Sequence, residues 1–470
     1  MRRLIVPALL IYCVMLFRAS HQAITIDEVD AFNNFSAGNL DMSFYPSSGN
    51  HVLNSLLARF STQAFGLSPF ATRVPAMLGA ALYLFAAACI VIRIAPKLKL
   101  LAFGALTLNP FVLDYLIASR GYSLAMGFLA AMVALGMRVL DEDPPPLRFT
   151  LVYAGMISVC GALALAANFS FAFTLICTAA AFLLLFAVSN PFKRWFSLAM
   201  ATTFPGLLVA LLLVGKTLRD YPRNQLYYGA ETWPQMWSDM LDAVFPKENL
   251  QFNHLDAVLS QTRQASGYLI LVPIAIGLWT AFVTKSRPIS FVWLALTGTL
   301  AAHGLAHAFQ GLLLPQDRTS LFIAFFLSIG IIYGMEAAPN RLARIASSTV
   351  VCLSLLIFAL AFRTNYFRMW YFDMDIDSGF HAFVNYVKEH PVESAGCTWR
   401  YNGAFAFYRA ATKANVPECP TIDQDIPPPR GAYFVISPWQ DDFVAKAKLK
   451  IIYKGPVSGL VVGIAPDKAN

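Results

Sequence analysis

Three carboxylates follow the first apolar stretch of the chain, at Asp27, Glu28 and Asp30. A hydroxyl group that attacks a carbon centre must lose its proton, and a carboxylate within hydrogen-bond reach can accept it. We predict that Asp27 is this general base. Glu28 is one residue further on and would point in another direction on a helix, where it would orient the hydroxyl-bearing substrate or hold a cation. The alternative is that these acids only complement the positive end of a helix dipole.

Two arginines, Arg120 and Arg318, lie in short connections between apolar stretches. The planar guanidinium group presents paired donors that match phosphate oxygens, so both side chains are predicted to bind a phosphate on which charge develops during a reaction. His51 is a third candidate for binding this phosphate, or for binding a metal ion. Each has a structural alternative, because arginines at helix ends can extend to lipid headgroups and a loop histidine can be solvated.

Five further side chains are predicted to line a substrate site, and two of them lie within an apolar stretch. His303 and His307 are four residues apart, which places them on one face of a helix. Ionisable residues inside a membrane are candidates for function. The alternative is packing or water contact, since a two-histidine metal site would lack an identified third ligand. The other three are Asn50, Tyr122 and Asp30.

The composition places most of the chain in lipid. Hydrophobic residues make up 57% and charged residues 13% of the sequence, whereas soluble domains carry about 25% charged residues. Residues 149–192 contain no Asp, Glu, Lys, Arg or His, a length that crosses a hydrocarbon core of about 30 Å twice. About eleven transmembrane helices are predicted, near residues 4–22, 74–92, 99–117, 121–138, 149–167, 170–189, 195–215, 265–284, 289–308, 319–336 and 345–362.

The basic residues predict the orientation of these helices, because short loops rich in Lys and Arg stay in the cytoplasm. The N-terminus is therefore predicted inside, and two long loops, 20–72 and 216–264, are predicted outside with the C-terminal residues. A signal peptide over residues 1–22 is the alternative to a retained anchor, but no small-x-small cleavage site follows. The basic residues fall in six alternate connections: Arg2 and Arg3; Arg93, Lys97 and Lys99; Arg138 and Arg148; Lys193 and Arg194; Lys285 and Arg287; Arg341 and Arg344.

Residues 1–362 are predicted to form an all-α membrane domain. Residues 363–470 are predicted to form a small extracytoplasmic α/β domain that follows it. Cys397 and Cys419 are the two cysteines outside apolar stretches, and we predict that they form a disulfide in an oxidising compartment. The domain is expected to shape a binding surface. Helical and strand-like patterns alternate within it, with helices predicted at 380–389, 404–412 and 441–446 and strands at 396–401, 432–436, 449–453 and 459–464.

The order and sidedness of the polar motifs resemble the GT-C superfamily of membrane glycosyltransferases. The similarity is to bacterial members related to protein O-mannosyltransferases and aminoarabinose transferases, and it spans the whole architecture. It implies transfer of a sugar, with inversion, from a polyprenyl-phosphate carrier to a lipid, glycan or protein acceptor on the outer face of the cytoplasmic (inner) membrane. The motifs that carry it are Asp27-Glu28, Asn50-His51, Ala-Ser-Arg-Gly-Tyr-Ser-Leu at 118–124 and Pro-Gln-Asp-Arg at 315–318.

The chain departs from the family pattern at one place. Many relatives carry an acidic residue directly before the arginine that Arg120 matches, whereas this chain has Ala118 and Ser119 there, and Asp114 is the nearest carboxylate. No cofactor is therefore predicted, although a divalent cation remains compatible with the other residues.

Three other classes of protein are weighed against a glycosyltransferase. A membrane transporter or lipid flippase is the main alternative, but it would more often show internal repeats and broken spans in corresponding halves. A scaffold protein would have no evident use for ionisable residues within its membrane part. The net charge of +8 does not indicate nucleic-acid binding, because many basic residues lie in the predicted cytoplasmic connections and no basic patch interleaved with aromatic residues is present.

Overall fold

The computed structural model describes residues 2–141, 144–188, 190–221, 228–248, 252–338, 340–422, 432–436 and 441–465. Ten helices within these ranges are long and apolar enough to cross a membrane, so the prediction of an all-α polytopic membrane domain is confirmed. The helices up to residue 361 are α1 (Arg2–His21), α2 (Ile26–Ala31), α3 (Val52–Phe65), α4 (Pro69–Ile94), α5 (Lys99–Thr107), α6 (Pro110–Tyr115), α7 (Tyr122–Leu140), α8 (Leu147–Ala167), α9 (Ala172–Ala187), α10 (Phe192–Arg219), α11 (Trp233–Val244), α12 (Asp256–Leu269), α13 (Leu271–Thr284), α14 (Arg287–Gln310), α15 (Leu321–Ala337) and α16 (Arg341–Ala361).

The third predicted span, residues 99–117, is not one helix. It is divided into α5 and α6, with the break before Pro110. Proline lacks the N–H that would continue the helical hydrogen bonds, and it disfavours a helical conformation in the residue that precedes it. Asn109 starts the second segment instead, because its side chain accepts a hydrogen bond of 3.0 Å from the backbone N–H of Phe111. Its amide also donates to the carbonyl oxygen of Val244 at 3.2 Å.

The chain divides into two structural units, and the division does not follow the predicted boundary alone. The first unit comprises residues Met1–Met15, Ser43–Asn54 and Pro75–Phe362. The second comprises Leu16–Met42, Ser55–Val74 and Arg363–Asn470. The segment with the three carboxylates, which the sequence analysis assigns to the membrane domain, thus belongs to the same unit as the C-terminal residues.

Close helix packing characterises the first unit. Helices α4 and α7 meet at two glycines, Gly79 and Gly127, where a Cβ atom on either would collide with the backbone of the other helix. Small residues of this kind let helix backbones approach closely in membranes. Helix α8 packs between α7 and α10, and α14 packs on α9. These contacts hold α7 and α14, the helices that carry Tyr122, His303 and His307.

The second unit contains a four-stranded sheet in the order β1-β2-β4-β3, with β1 parallel to β2 and the other neighbouring pairs antiparallel. A core of buried apolar residues joins this sheet to α2, with Val29 and Phe32 packed together with Phe380 and Phe405. Every predicted helix and strand of residues 363–470 is found, although the first strand is shorter. The elements are α17 (Ile376–Glu389), β1 (Ala395–Cys397), α18 (Asn402–Thr412), β2 (Ala432–Ile436), α19 (Asp441–Lys446), β3 (Lys450–Lys454) and β4 (Leu460–Ile464).

The predicted disulfide is confirmed. Cys397 and Cys419 are joined, with their Cα atoms 5.4 Å apart. The bond connects the end of β1 to a segment that also pairs with it, since the N–H of Cys397 donates to the carbonyl oxygen of Pro420 at 2.9 Å.

Candidate functional site

His51 and two arginines form the electrostatic centre of the first unit. His51 is 6% exposed, and neither ring nitrogen has a hydrogen-bond partner among the described residues. Burial lowers the pKa of His51 well below its usual range, and the positive charges of Arg120 and then Arg318 lower it further. The three side chains predicted to bind a phosphate are therefore brought within electrostatic range of one another. The imidazole is neutral at pH 7 and can donate one hydrogen bond and accept another.

The backbone at Gly121 explains how Arg120 comes to lie beside the histidine. Gly121 has φ +72°, a left-handed conformation that favours glycine. A Cβ atom here would collide with the carbonyl oxygen of Ala167 and would lie 3.0 Å from the Cβ atom of His51. The absence of a side chain thus lets the turn between α6 and α7 fit closely against the histidine segment, and helix α7 starts at the next residue, Tyr122.

Two asparagines hold the segment that carries His51. The amide of Asn50 donates to the carbonyl oxygens of Ser43 and Tyr45, at 3.0 and 2.8 Å. The amide of Asn54 donates to the backbone and side-chain oxygens of Ser119, at 3.1 and 3.2 Å. Asn50 is 1% exposed, so this arrangement favours a role in shaping the loop rather than the predicted contact with substrate.

Arg318 stacks on an aromatic ring that the sequence analysis did not single out. Its guanidinium carbon is 4.4 Å from the ring centroid of Tyr228. The Tyr228 hydroxyl donates a hydrogen bond of 2.9 Å to Oδ2 of Asp317, whose φ of 42° is unusual for a residue other than glycine. Burial and the carboxylate of Asp317 raise the pKa of Tyr228, so this hydroxyl stays protonated. The sequence shows that Tyr228 is aromatic, but it gives no sign that its ring contacts Arg318.

A row of rings connects Tyr122 with His303. Tyr122 contacts Phe171 with ring centroids 6.5 Å apart, Phe171 contacts Phe322 at 5.7 Å, and the ring of Phe322 stacks on His303 at 5.8 Å. Tyr122 also lies 5.8 Å from His51. His303 is buried, and its two ring nitrogens have no hydrogen-bond partner among the described residues. It therefore belongs to the same wall of rings as the histidine beside the arginines.

His307 has a local structural task. Its Nδ1 donates a hydrogen bond of 2.8 Å to the carbonyl oxygen of Leu312, just after the end of α14. This bond satisfies a backbone oxygen in the turn that follows the helix.

The three carboxylates lie on α2 in the second unit. Helix α2 starts with a capping box, in which the Thr25 side chain accepts from the N–H of Glu28 and the Glu28 carboxylate accepts from the N–H of Thr25. Within this unit Asp27 is half-buried and Asp30 is exposed, whereas Glu28 is completely buried. Among the three, Asp27 and Asp30 can therefore meet a ligand without a change of conformation.

Glu28 forms a buried ion pair with Arg73, a residue that the sequence analysis did not select. The two side chains are both 0% exposed, and their closest atoms are 2.7 Å apart. Arg73 binds both carboxylate oxygens of Glu28. An ionisable residue near the start of an apolar helix was the signal that could have identified Arg73.

Asp373 and Arg400 form a second pair next to α2 that sequence reasoning missed. Oδ2 of Asp373 accepts a hydrogen bond of 2.9 Å from the N–H of Ile26, and Oδ1 accepts one of 2.6 Å from Nε of Arg400. Burial raises the pKa of Asp373 to about 6, although the positive charge of Arg400 lowers that pKa. The negative charge of Asp27 raises it further. Asp373 and Asp27 are therefore electrostatically coupled within this unit.

No group of three or more His, Cys, Asp or Glu side chains is arranged to hold a metal ion in the part of the chain that the structure describes. The guanidinium groups of Arg120 and Arg318 act on His51, and the ring of Tyr122 contacts it. Their chemistry suits an anion rather than a cation.

The comparisons with known proteins concern the fold. The crystal structure of ArnT from Cupriavidus metallidurans bound to undecaprenyl phosphate aligns with a TM-score of 0.56 at 12% sequence identity, covering 99% of this chain and 98% of that chain. The apo state of ArnT from the same organism aligns with a TM-score of 0.45 at 12% identity, covering 98% and 97%. No protein-family model matches the sequence, and no curated protein matches it.

ArnT is a GT-C aminoarabinose transferase, and the alignment with its undecaprenyl phosphate complex spans almost the whole of both chains. The protein therefore has a GT-C-like fold, as the resemblance of the sequence motifs implied. At this level of identity the likeness shows the fold alone and leaves the activity, the donor, the acceptor and the residue roles to be argued from the site.

Proposed function

We propose that the protein is an inverting glycosyltransferase that moves a sugar from a polyprenyl-phosphate carrier to an acceptor on the outer face of the bacterial cytoplasmic membrane. The observation that carries the proposal is a buried His51, with both ring nitrogens unbonded among the described residues, within electrostatic range of Arg120 and Arg318. Negative charge grows on the phosphate of the carrier as the sugar leaves, and preorganised donors stabilise such charge most effectively in a site without bulk water. ArnT, which shares the fold, has been crystallised with undecaprenyl phosphate.

Each member of this cluster has a distinct task in the proposal. Arg120 and Arg318 each offer a guanidinium fork to the phosphate oxygens, and His51 donates a hydrogen bond without adding a third positive charge. Tyr228 keeps the plane of Arg318 fixed through the stacking contact. Tyr122 and His303 provide an aromatic wall against which a sugar or the start of a prenyl chain can pack.

Asp27 is the proposed general base that removes the proton from the acceptor hydroxyl. It is only half-buried within its unit, so a substrate can approach its side chain, and the exposed Asp30 on the same short helix would bind the acceptor. Glu28 was predicted to act at the site directly, but its two oxygens are engaged by Arg73 and Thr25. We therefore assign it a positioning role.

Two observations support the proposed location of the chemistry outside the cytoplasm. The basic residues fall in alternate connections, as expected when those connections face the cytoplasm. The disulfide between Cys397 and Cys419 lies in the unit that also contains Asp27, and disulfides persist in oxidising compartments.

A turnover experiment distinguishes this function from that of a transporter or flippase. Purified protein in nanodiscs would be given a polyprenyl phosphate that carries a labelled sugar, together with a crude envelope fraction as the source of acceptor. A glycosyltransferase separates the label from the lipid, whereas a flippase reconstituted in vesicles moves the intact glycolipid between leaflets. Label that stays on the lipid in nanodiscs but changes leaflet in vesicles would overturn the proposal.

Arginine variants test the phosphate cluster. Arg120→Ala and Arg318→Ala are each expected to lower kcat/KM for the donor by about 10²-fold, the usual loss when one donor to a developing anion is removed. Arg219→Ala is the matched control, because Arg219 lies in the same unit and forms an exposed pair with Asp220. Equal donor kinetics in all three variants would assign the two arginines to lipid headgroups.

A further inference from the structure

The guanidinium group of Arg73 has every N–H engaged. Nε and Nη2 bind the two oxygens of Glu28 at 2.8 and 2.7 Å. Nη1 donates to the carbonyl oxygens of Ala19 and Gln22 at 3.2 and 2.8 Å, and Nη2 donates to that of Ala23 at 2.7 Å. Five donors thus make five hydrogen bonds, which is the full capacity of an arginine.

Through these hydrogen bonds, Arg73 joins the end of α1 to the start of α2. The carbonyl oxygens belong to the end of α1 and the two residues that follow it, where a helix leaves backbone acceptors without internal partners. Glu28 lies in the first turn of α2. The aromatic face of Phe367 covers the guanidinium, with 5.0 Å between the carbon atom and the ring centroid. A cation that is fully desolvated in this way must keep its partners.

Helix α2 depends on such external contacts. It has six residues and continues as a π-helical turn over Phe32–Ser36, and isolated helices shorter than about 12 residues are unstable in water. Its first turn is held by the capping box and by the hydrogen bond from the N–H of Ile26 to Asp373. Oε2 of Glu28 accepts from the N–H of Thr25 in the capping box and also from Nη2 of Arg73. The arginine therefore holds in place the carboxylate that caps the helix.

We propose that Arg73 is a positioning residue for the transfer reaction, which through Glu28 fixes the first turn of α2 and so sets the place and direction of the Asp27 carboxylate. This inference rests on the proposed function, because it assigns Asp27 the role of base. Asp27 is the residue directly before Glu28, so a rotation of the first turn moves both carboxylates together. A positional error of about 1 Å at a reacting group can lower a rate by 10²-fold.

Arg73→Lys is the main test variant. Lysine keeps the positive charge, but its three donors replace five and cannot form the paired contact with a carboxylate. Glu28→Gln tests the same contact from the other side and keeps the shape of the side chain. Arg409→Lys is the matched control, since Arg409 pairs with Glu418 at the surface of the same unit, at 3.0 Å.

Hydrogen exchange measures the position of α2 without reference to activity. Amides of residues 25–31 in Arg73→Lys and Glu28→Gln are expected to exchange about tenfold faster than in wild type, since bonds to charged groups are lost, while peptides from β2 to β4 keep their protection. Unchanged exchange over α2 in both variants would overturn the inference. Faster exchange throughout the unit would overturn it as well, because Arg73 would then support the whole unit rather than one turn.

Kinetics separate this inference from the proposed function. With a polyprenyl-phosphate sugar, both variants are expected to lose about 10²-fold in kcat with little change in the donor KM, and Arg409→Lys should behave like wild type. Wild-type kcat in both variants, alongside an inactive Asp27→Asn, would refute the positioning role alone. Absence of turnover by the wild-type protein with any donor would refute the proposed function, and the exchange experiment would still decide what Arg73 does to α2.

Discussion

At the scale of single residues, the burial of His51 and the charges near it determine how this side chain would bind a phosphate. A histidine beside two guanidinium groups would repel a further proton, and burial adds to this effect. The folded protein therefore holds the imidazole neutral at a pH at which an unfolded chain, with a histidine pKa of about 6.5, already takes up protons. A neutral imidazole can accept a hydrogen bond at one ring nitrogen and donate one from the other. The positive charge of the proposed phosphate site then comes from Arg120 and Arg318.

The sign of the resulting pH dependence follows from this lowered pKa. As pH falls below about 6.5, the unfolded chain binds a proton at His51 that the folded protein does not. The stability contributed by the neutral histidine is therefore present above that pH and is lost as the pH falls towards the lowered pKa. The drop in melting temperature from pH 7 to pH 5 should be smaller in His51→Gln than in wild type, measured in detergent without donor.

The control for this experiment is His390→Gln, which removes an exposed histidine of the other unit. It should leave the wild-type response to pH unchanged. An identical response in His51→Gln and wild type would mean that His51 titrates alike in the folded and unfolded protein.

A second prediction concerns the proposed base. Asp27→Asn keeps the shape of the side chain but cannot take a proton, and general-base catalysis is worth about 10² to 10⁴ in rate. Transfer should therefore be abolished while donor binding, measured by native mass spectrometry of the lipid complex, stays near wild type. Asp41→Asn, an exposed acid of the same unit, serves as control. Turnover within about threefold of wild type would exclude general-base catalysis by Asp27.

A third prediction separates the two contacts of Tyr228. Tyr228→Phe keeps the ring under Arg318 but loses the hydrogen bond to Asp317, whereas Tyr228→Leu loses both. A cation–π contact at a partly exposed site is worth about 0.5–1 kcal/mol. The donor KM should therefore rise more in the leucine variant than in the phenylalanine variant. The same KM in both variants would show that the ring does not hold the arginine.

The site residues that sequence could predict are those whose chemistry is unusual for their position. Arg120 and Arg318 stood out as cations in short connections predicted to face outward, where basic residues are disfavoured, and the structure brings them within electrostatic range of His51. Arg73 and Tyr228 were missed because their roles depend on partners 45 and 89 positions away. Residue types alone also cannot reveal burial, which is why Glu28 was expected to meet a substrate.

At the scale of secondary structure, helices with a continuous run of apolar residues were predictable from the sequence. The division of residues 99–117 into α5 and α6 was not. Residues 99–117 are apolar enough to suggest one span, and hydropathy averages over the single Asn-Pro step at 109–110. The side chain of Asn109 accepts a hydrogen bond from the N–H of Phe111, one of the backbone groups released at that step, and donates one to the carbonyl oxygen of Val244 in α11. Irregular backbone at membrane depth is tolerated only where protein surrounds it. All six residues of α6 are buried, in agreement with this rule.

The disulfide gives a prediction at the same scale. In the chain-entropy model, a bond that closes a loop of 22 residues stabilises a fold by roughly 3 kcal/mol. The double variant Cys397→Ser, Cys419→Ser should lower the denaturant midpoint at which the second unit unfolds, reported by the fluorescence of tryptophans such as Trp399. Cys352→Ser, which removes a free and exposed cysteine, should not.

Alkylation tests whether the bond exists in the membrane. An impermeant thiol reagent should leave Cys397 and Cys419 unmodified until a reductant is added. Modification of both in the native, unreduced protein would contradict the bond.

At the scale of the whole molecule, the arrangement of charges along the chain predicts which segments lie on each side of the membrane. A reporter that is active only outside the cytoplasm should give a signal when fused after Phe362 and none when fused after Arg194. The reason is that Lys193 and Arg194 form one of six alternate basic connections, which we predict to lie inside. A cytoplasm-specific reporter at the same two positions is the control, and the reverse pair of results would place the proposed site in the cytoplasm.

The division of the molecule into units was the least predictable feature. The sequence suggested a boundary near residue 362 because apolar periodicity ends there. It gave no sign that residues 16–42 and 55–74 belong with the C-terminal residues, because that grouping depends on packing between Val29, Phe380 and their neighbours. Contacts between segments more than 300 positions apart leave no periodic pattern in either segment.

The close fit at Gly121 has a consequence for evolution. No other residue can replace it without strain, because its φ is +72° and a Cβ atom would collide with Ala167. A substitution of Arg120 alters one charge, whereas a substitution of Gly121 displaces the whole turn. Divergent homologues that have changed their substrate should therefore lose the arginine before they lose the glycine, and we expect this glycine to persist where the charged residues of the turn vary.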